Sequence, residues 1–362
     1  MWEHAPGSPC VEPSGDACDH YHRYPDDIRL LAELGFGSYR FSIEWARIEP
    51  EEGEFSNAQL DHYRRVLAEC HEAGLSPTVT FHHFTSPRWV GADGAWDSTT
   101  TPDRFARYCE RAGAHLGDFI DRACTINEPN IVALYGYERG LFAPGTKRAD
   151  ARKRAGDNFM AGHRRAVDAL KSGRGEFPVG LTLAMSEYEA VDGAEGAVAR
   201  ERAESEDIYL EAASADDFIG VQTYTRRRIG SGGELGPPPR AETTAMGYEF
   251  RPQALEATIR RVADVIPGVS IVVTENGIAT TDDTRRIAFV TEALQGVGRC
   301  LDDGIDVRGY YYWSALDNFE WALGYAPTFG LIAVDRTTQV RRPKPSAGWL
   351  GGIARTGVLE SD

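Results

Sequence analysis

Short apolar runs rich in β-branched and aromatic residues alternate along this chain with longer amphipathic stretches. Each run has the length of one strand, and each stretch between two runs has the apolar spacing of a helix. Repeated alternation of this kind indicates parallel strands joined by crossover helices. Seven strands are predicted, at residues 36–45, 76–83, 123–128, 179–185, 218–225, 270–276 and 307–316.

The predicted strands are strongly apolar and end in polar residues, which favours an α/β fold of the (β/α)8 TIM-barrel type over an open doubly wound sheet. No glycine-rich phosphate loop follows an early strand, and Gly35 and Gly37 precede one, as a turn would. The first 24 residues contain several prolines and glycines and no predicted strand. We therefore expect residues 1–362 to form a single barrel domain whose first strand is missing or replaced.

Local signals predict where several helices begin and end. Pro25 is suited to a first helical turn, and Gly35 to the end of the same helix. Ser56 or Asn57 is expected to cap the next helix. The segment 230–244, rich in glycine and proline, is predicted to be a loop over the site or a disordered excursion.

Composition excludes several classes of function. The net charge of −16 argues against a nucleic acid or an anionic membrane as partner and suits a neutral substrate. The N-terminus does not resemble a signal peptide, and no apolar run is long enough to span a bilayer, so a cytoplasmic location is expected. The six cysteines lack metal-type spacing, and we expect reduced thiols with no metal or cofactor; Cys10 and Cys18 share a loop and could pair under oxidation.

Two short strings place a glutamate at the end of a predicted strand: Thr125-Ile126-Asn127-Glu128-Pro129 and Thr274-Glu275-Asn276-Gly277. The tips of parallel barrel strands converge on one mouth, where two carboxylates could supply the acid/base and the nucleophile that cleavage of a glycosidic bond needs. Each string alone also has a structural interpretation. The first could cap a helix, and the second could be a turn with Gly277 at positive φ.

Other strand tips carry the mixture of carboxylates, amides, imidazoles and indoles that suits a sugar. Taken singly, each residue could instead be structural, as half of an ion pair, a buried second-layer group or part of the core. These tip residues are Arg40, Glu44, His82, His83, Tyr224, Trp313, Glu320 and Trp321.

The strings Asp19-His20-Tyr21-His22-Arg23-Tyr24 and Tyr39-Arg40-Phe41-Ser42-Ile43, the two glutamate strings and residues 313–325 together resemble glycoside hydrolase family 1, the β-glucosidase-type retaining enzymes. The resemblance runs from about Trp2 to Trp349. It implies that Glu128 is the general acid/base and Glu275 the nucleophile. It also implies supporting roles: Arg40 would keep Glu275 ionised and Tyr224 would orient it.

The same resemblance assigns sugar contacts. Asn127 would bind the 2-hydroxyl, and His83 another hydroxyl of the same ring. The remaining implied contacts are Glu320 and Trp321 with distal hydroxyls, Trp313 as the floor of the ring site, Phe329 on its wall, and the amide of Gln222.

The chain also departs from that family. Members open with a strand bearing a Trp-Gly pair and a sugar-binding glutamine, and nothing here matches it. Three explanations stay open: a start assigned too far downstream, a gap closed by residues 1–11 or by a partner chain such as a second copy, or a degenerate relative. Gln222-Thr223-Tyr224 replaces the usual Asn-Tyr-Tyr. The short stretch 185–218 predicts a more open aglycone side.

An anionic Glu320 would repel a sugar phosphate. The sequence therefore predicts a retaining β-glycosidase for small unphosphorylated β-glucosides, β-galactosides, β-fucosides or oligosaccharides. The alternative is a weakly active or non-catalytic relative that binds a glycan or another small molecule.

Overall fold

The computed structural model describes residues 2–359 and places helices around a parallel sheet. Its strands are β1 (Ser38–Ser42), β2 (Ser76–His83), β3 (Arg122–Asn127), β4 (Val179–Ala184), β5 (Glu187–Ala190), β6 (Phe218–Gln222), β7 (Arg226–Gly230), β8 (Gly233–Leu235), β9 (Ser270–Asn276), β10 (Val307–Tyr312), β11 (Ile332–Val334) and β12 (Arg341–Pro343). Its α-helices are α1 (His20–Leu34), α2 (Trp45–Ile48), α3 (Asn57–Glu72), α4 (Arg88–Ala92), α5 (Thr101–Leu116), α6 (Pro129–Val132), α7 (Ala149–Lys171), α8 (Glu195–Arg202), α9 (Ile208–Ala212), α10 (Ala254–Val265), α11 (Asp283–Asp302) and α12 (Pro345–Thr356). Within residues 2–359, no helix combines the length and apolar character needed to cross a membrane.

The barrel wall contains seven parallel strands in the order β1–β2–β3–β4–β6–β9–β10. This arrangement confirms the predicted α/β barrel with seven strands. Strands buried on both faces are typical of parallel sheets covered by helices, and every residue of β6 and β9 is buried. Because all seven strands run the same way, their C-terminal tips form one mouth.

The predicted strands match the observed ones best at their centres. Residues 76–83 and 270–276 coincide with β2 and β9, whereas 36–45 is too long. The chain leaves β1 after Ser42, and the carboxylate of Glu44 then caps α2 by accepting from the backbone N–H of Ala46. Strand 307–316 is also too long, because Ser314 turns the chain and its hydroxyl donates to the Leu316 carbonyl at 2.8 Å.

The helix predicted to begin near Pro25 begins five residues earlier, at His20, so Pro25 lies inside α1. The early turn is held by one pair within the helix and one contact from outside it. His20 Nδ1 lies 2.8 Å from Asp27, and Asp27 also pairs with Arg341 at 2.7 Å. The predicted helix end and cap are confirmed. Gly35 ends α1 at φ 105°, and the Ser56 hydroxyl caps α3 by accepting from the Gln59 N–H.

The segment predicted as an irregular loop at residues 230–244 is partly a hairpin. β8 pairs antiparallel with β7, and β7 pairs parallel with β5, which makes a three-stranded sheet beside the mouth. The sequence signal was ambiguous because Ser231 and Gly232 form the tight turn of this hairpin, a position where glycine is favoured, and Gly233 begins β8.

The two end strands of the wall are much more exposed than the others. All five residues of β1 are half-buried, and in β10 only Tyr311 is buried. Within the described part of the chain no strand lies between them. The Tyr311 hydroxyl, 2.7 Å from Thr78 Oγ1, contributes to the barrel interior near this opening.

One of the three explanations, closure of the wall by residues 1–11, does not hold for residues 2–11, the part of that segment that the structure describes. This segment lies at the mouth instead. Trp2 packs against Gly145, and the Val11 N–H donates to the Ala322 carbonyl at 3.1 Å. The segment therefore borders the cavity and leaves β1 and β10 unpaired with each other.

Candidate active site

Glu275 ends β9 and is held by two donors. Its Oε1 accepts from Arg40 Nη1 at 2.7 Å, and its Oε2 accepts from the Tyr224 hydroxyl at 2.6 Å. Burial and the negative charges nearby raise the pKa of Tyr224 well above its ordinary value, so the phenol stays a donor. The ion pair and the hydrogen bond fix the orientation of the carboxylate.

Glu128 follows β3 in a left-handed backbone conformation, with φ 46°. Such a conformation costs a residue with a side chain about 1–2 kcal/mol, and here it joins β3 directly to α6. Glu128 makes no capping hydrogen bond with its side chain, so helix capping does not account for the carboxyl group. Burial and, next, the negative charge of Glu275 raise its pKa well above the ordinary range, which keeps it protonated.

Asn127 lies beneath these carboxyl groups in a closed network. Its Oδ1 accepts from Arg40 Nη2, from Gln222 Nε2 at 2.9 Å and from Thr182 Oγ1 at 3.3 Å. Since arginine only donates, the amide Nδ2 must face His83, whose Nε2 lies 3.2 Å away.

This network also sets the tautomer of His83. Burial and the charge of Arg40 lower its pKa well below the ordinary value, so the ring is neutral. Nε2 accepts from Asn127, and Nδ1 therefore carries the hydrogen and donates to Ser42 Oγ at 2.9 Å. A sugar hydroxyl that binds a nitrogen of His83 would have to displace one of these partners.

Glu320 is buried at the same mouth. Burial and the negative charge of Glu275 raise its pKa to about 7, although a hydrogen bond from Trp313 opposes the shift. Among the described residues, Glu320 Oε2 and Gln222 Oε1 are buried without a hydrogen-bond partner. A buried acceptor without a donor costs about 1–3 kcal/mol, which a hydroxyl-rich ligand would relieve.

Aromatic rings form one wall of the mouth. The ring centre of Trp321 lies 5.0 Å from that of Phe84 and 6.2 Å from that of His83, and Trp313 lies 5.9 Å from His83. Opposite them, Phe329 contacts Tyr224 edge to face. Apolar ring faces beside fixed polar groups are the usual surface for a sugar.

One cavity of about 880 Å³ collects most of the predicted site. Both glutamates line it, as do seven of the eight residues predicted to bind the substrate: His83, Gln222, Tyr224, Trp313, Glu320, Trp321 and Phe329. Asn127 is the exception, because it and Arg40 lie under the cavity and support the residues that line it.

Two other residues at strand tips do not reach the cavity. Glu44 caps α2 and accepts from Thr85, and His82 is buried against Ser86 and Trp96. Their structural interpretation is therefore the one that the geometry supports. Sequence reasoning missed the outer lining at Pro9 and Val11, because that segment has no strand or helix periodicity. β8, which also lines the cavity, lies in the segment 230–244, for which a loop over the site was one of the two predictions.

Gly277 is the last residue of the second glutamate string. Its φ is not positive, so a left-handed turn does not explain why glycine stands there. A Cβ at this position would lie 2.2 Å from the carbonyl oxygen of Trp313. The small residue allows the segments that carry Glu275 and Trp313 to approach.

Replacing Gly277 with alanine should lower the free energy of unfolding by about 1–3 kcal/mol, because the clash is with backbone. Gly298→Ala is the matched control. Gly298 lies within α11, and a Cβ added there has no atom within 4 Å. The control should raise the free energy of unfolding by about 0.5–1 kcal/mol, because alanine favours a helix more than glycine does. Urea unfolding of both variants measures the difference. An equal stability of the two variants would contradict this account of Gly277.

Comparisons with known proteins agree with the geometry. The model of "Glycosyl hydrolase family 1" matches residues 2–231 and 222–358. Thermostable beta-glucosidase B of Thermobispora bispora is 34% identical, with 100% of this chain and 86% of the relative covered. Beta-glucosidase A of Acetivibrio thermocellus is 32% identical, with 96% and 90% covered.

Solved structures of other proteins are also similar to this chain. Beta-glycosidase BGL167 is 49% identical, with a TM-score of 0.93 over 100% of this chain and 92% of that one. Beta-glucosidase from Thermotoga maritima in complex with glucoimidazole is 29% identical, with a TM-score of 0.93 over 99% and 92%. A barrel with a buried glutamate pair and matches along nearly its whole length lead to one conclusion: the chain belongs to glycosyl hydrolase family 1 and is a glycoside hydrolase.

Proposed function

We propose that this chain is a retaining β-glycosidase that hydrolyses unphosphorylated β-glucosides, or the corresponding β-galactosides or β-fucosides. The supporting observation is the division of labour between two carboxyl groups in one cavity. Glu275 accepts from Arg40 and Tyr224, whereas Glu128 is buried beside that negative charge with a raised pKa. One group is set up as a nucleophile and the other as an acid.

The reaction would proceed in two steps. Glu128 gives its proton to the glycosidic oxygen as the bond from that oxygen to C1 breaks, and a carboxylate oxygen of Glu275 forms an ester with C1. Glu128, now ionised, takes a proton from water, and the water oxygen displaces Glu275 from C1. Two inversions at C1 release a sugar with the original β configuration.

The other residues would bind and orient the sugar. Glu320 and Gln222 offer unpartnered oxygens to hydroxyl groups, and Trp313 and Trp321 offer ring faces. Asn127 would act from beneath the cavity. The curated relatives are named beta-glucosidases, which supports a glucoside as the substrate.

The stereochemical outcome tests the two-step scheme. During hydrolysis of an aryl β-glucoside, proton NMR should detect the β anomer of glucose first, before mutarotation. An α anomer formed first would rule out the ester on Glu275. Absence of turnover on aryl β-glucosides, β-galactosides and β-fucosides would favour the binding-only alternative.

Glu320 should also discriminate against sugar phosphates. Because its raised pKa is about 7, the carboxylate becomes more fully charged as the pH rises from 7 to 8. A phosphate ester carries nearly two negative charges at this pH, and about 8 Å from a charged Glu320 it costs about 4 kcal/mol at an effective dielectric constant of 20, or roughly a thousandfold. At pH 8 the preference for an aryl β-glucoside over its 6-phosphate should therefore fall by about that factor in Glu320→Gln. An unchanged ratio of kcat/KM values would show that Glu320 does not set this preference.

We also infer a small β-glycoside or oligosaccharide as the partner, without a nucleic acid or a membrane. A homo-oligomer that covers the edges of β1 and β10 stays a prediction, as does the cytoplasmic location.

A further inference from the structure

Exposed apolar side chains are concentrated at the mouth of the catalytic cavity. Ten large apolar side chains are exposed among the described residues, and five of them line this cavity. We call these five the apolar rim: Val11, Leu141, Leu235, Tyr248 and Leu323. Single exposed apolar residues are ordinary, but five that border one opening indicate a binding surface.

The rim is built from separate parts of the chain. Val11 belongs to the N-terminal segment, Leu235 ends β8, and Leu323 follows β10 in a short 3-10 turn. The remaining two come from the connections that follow β3 and β8. Their exposed fractions run from 37% for Tyr248 to 68% for Val11, so each has surface left to bury.

An apolar surface continues from the rim into the cavity. Ile131, Leu134, Tyr135 and Phe142 line it on the side of Glu128. The ring of Phe142 lies 5.5 Å from Tyr135 and 5.6 Å from Phe84. A single sugar ring fills only part of 880 Å³, a volume near the upper end of the range that holds drug-sized ligands.

Three arginines of the same mouth, Arg226, Arg227 and Arg228, are paired with carboxylates, whereas Arg139 lies over the ring of Tyr135. Arg226 binds Glu249 at 2.7 Å, and Arg227 binds Glu201 and Glu234, each at 2.8 Å. A second sugar at this position would meet arginines whose charges carboxylates already neutralise. An apolar group would meet the rim.

We propose that the apolar rim binds the leaving group and that the preferred substrates carry a bulky apolar aglycone, such as an alkyl chain or a fused aromatic ring system. This inference rests on the proposed glycosidase function and names its substrate class. The occupant is the substrate itself, because the rim is continuous with the cavity that holds both glutamates.

A series of n-alkyl β-glucosides from ethyl to octyl tests the proposal, kept below the concentrations at which micelles form. The alcohols of this series differ little in acidity, so changes in kcat/KM report binding of the chain. Full burial of a methylene would raise kcat/KM roughly fourfold. For a partly exposed rim we expect about twofold per methylene, expressed mainly as a lower KM.

Substitutions locate the effect. Leu235→Ser and Leu323→Ser should each flatten the dependence of kcat/KM on chain length, with a larger loss for octyl than for ethyl β-glucoside. Leu301→Ser is the matched control, because Leu301 is 50% exposed on α11 and does not line the cavity. Its slope should equal that of the unaltered protein.

The outcomes are distinct. If no member of the series is hydrolysed, the proposed function fails. If all are hydrolysed with no dependence on chain length, or if cellobiose exceeds octyl β-glucoside in kcat/KM, this inference fails alone. It also fails if the rim variants change the oligomeric state in light scattering and leave the slope intact, because the rim would then be a protein interface.

Discussion

Replacing Glu275 with glutamine should lower kcat/KM for an aryl β-glucoside by about 10⁴-fold or more, the scale expected when a covalent nucleophile is lost. An amide is nearly the same size as a carboxylate, but it cannot form the ester with C1. The sugar contacts remain, so the loss should fall mainly on kcat. Glu189→Gln is the matched control, since Glu189 is a carboxylate of β5 near the mouth that pairs with Arg226 and does not line the cavity.

Glu275→Ala gives the sharper test because it removes the carboxylate and leaves space. Added azide should then restore turnover and give an α-glucosyl azide, since azide attacks C1 once from the side that Glu275 occupied. A β-glucosyl azide, or no rescue together with an unaltered fold by circular dichroism, would contradict the assignment of Glu275.

Either variant also leaves Arg40 buried without its carboxylate. Arg40 keeps hydrogen bonds to Asn127 and Thr80, so the fold should survive with reduced stability. The expected cost is of the order of 3 kcal/mol, since breaking a buried pair from one side leaves a charge uncompensated. Thermal unfolding separates this loss from the loss of turnover.

The parts of the fold that follow from periodicity were predictable from the sequence. β2 alternates threonine with Val79 and Phe81, and β9 contains the β-branched run 271–274; the predicted bounds of both coincide with the observed ones. The start of α1 was not predictable in this way. It depends on Asp27 meeting Arg341, which lies 314 residues away, and no local signal reports such a contact.

The candidate site was also predictable only in part. Residues at strand tips could be placed at one mouth because parallel strands point their C-terminal ends the same way. Which tip residues reach the cavity depends on their neighbours. His82 and His83 are adjacent in sequence, but alternation along β2 sends one toward Trp96 and the other toward Asn127. The apolar rim was not predicted, because its members lie in short or irregular segments that have no periodic pattern.

Replacing Glu128 with alanine should have an effect that depends on the leaving group. For an alkyl or unsubstituted phenyl β-glucoside, kcat/KM should fall about 10²–10⁴-fold, the usual contribution of general acid catalysis. For a dinitrophenyl β-glucoside, whose leaving group needs no proton, the first step should be nearly unaffected. Added azide should then accelerate the second step and give a β-glucosyl azide, the opposite anomer to that expected from Glu275→Ala.

Replacing Glu128 should also change how the rate of hydrolysis depends on pH. In the proposed mechanism Glu128 acts while protonated, and burial together with the charge of Glu275 raises its pKa. The rate of the unaltered protein on an alkyl β-glucoside should therefore fall as the pH rises through that raised value. Glu128→Gln should lose this alkaline limb, and a limb that persists in the variant would assign the acid to another group.

The same raised pKa predicts that Glu128→Gln is more stable than the unaltered protein. Unfolded Glu128 ionises near its ordinary pKa, whereas folded Glu128 keeps its proton to a higher pH. Between those two values the unfolded state binds fewer protons, so the free energy of unfolding falls as the pH rises. Glu128→Gln removes the ionisation, and its advantage in thermal unfolding over the unaltered protein should grow from about pH 5 upward. A variant that loses activity and gains stability in this window would mark Glu128 as a residue kept for chemistry at the expense of the fold.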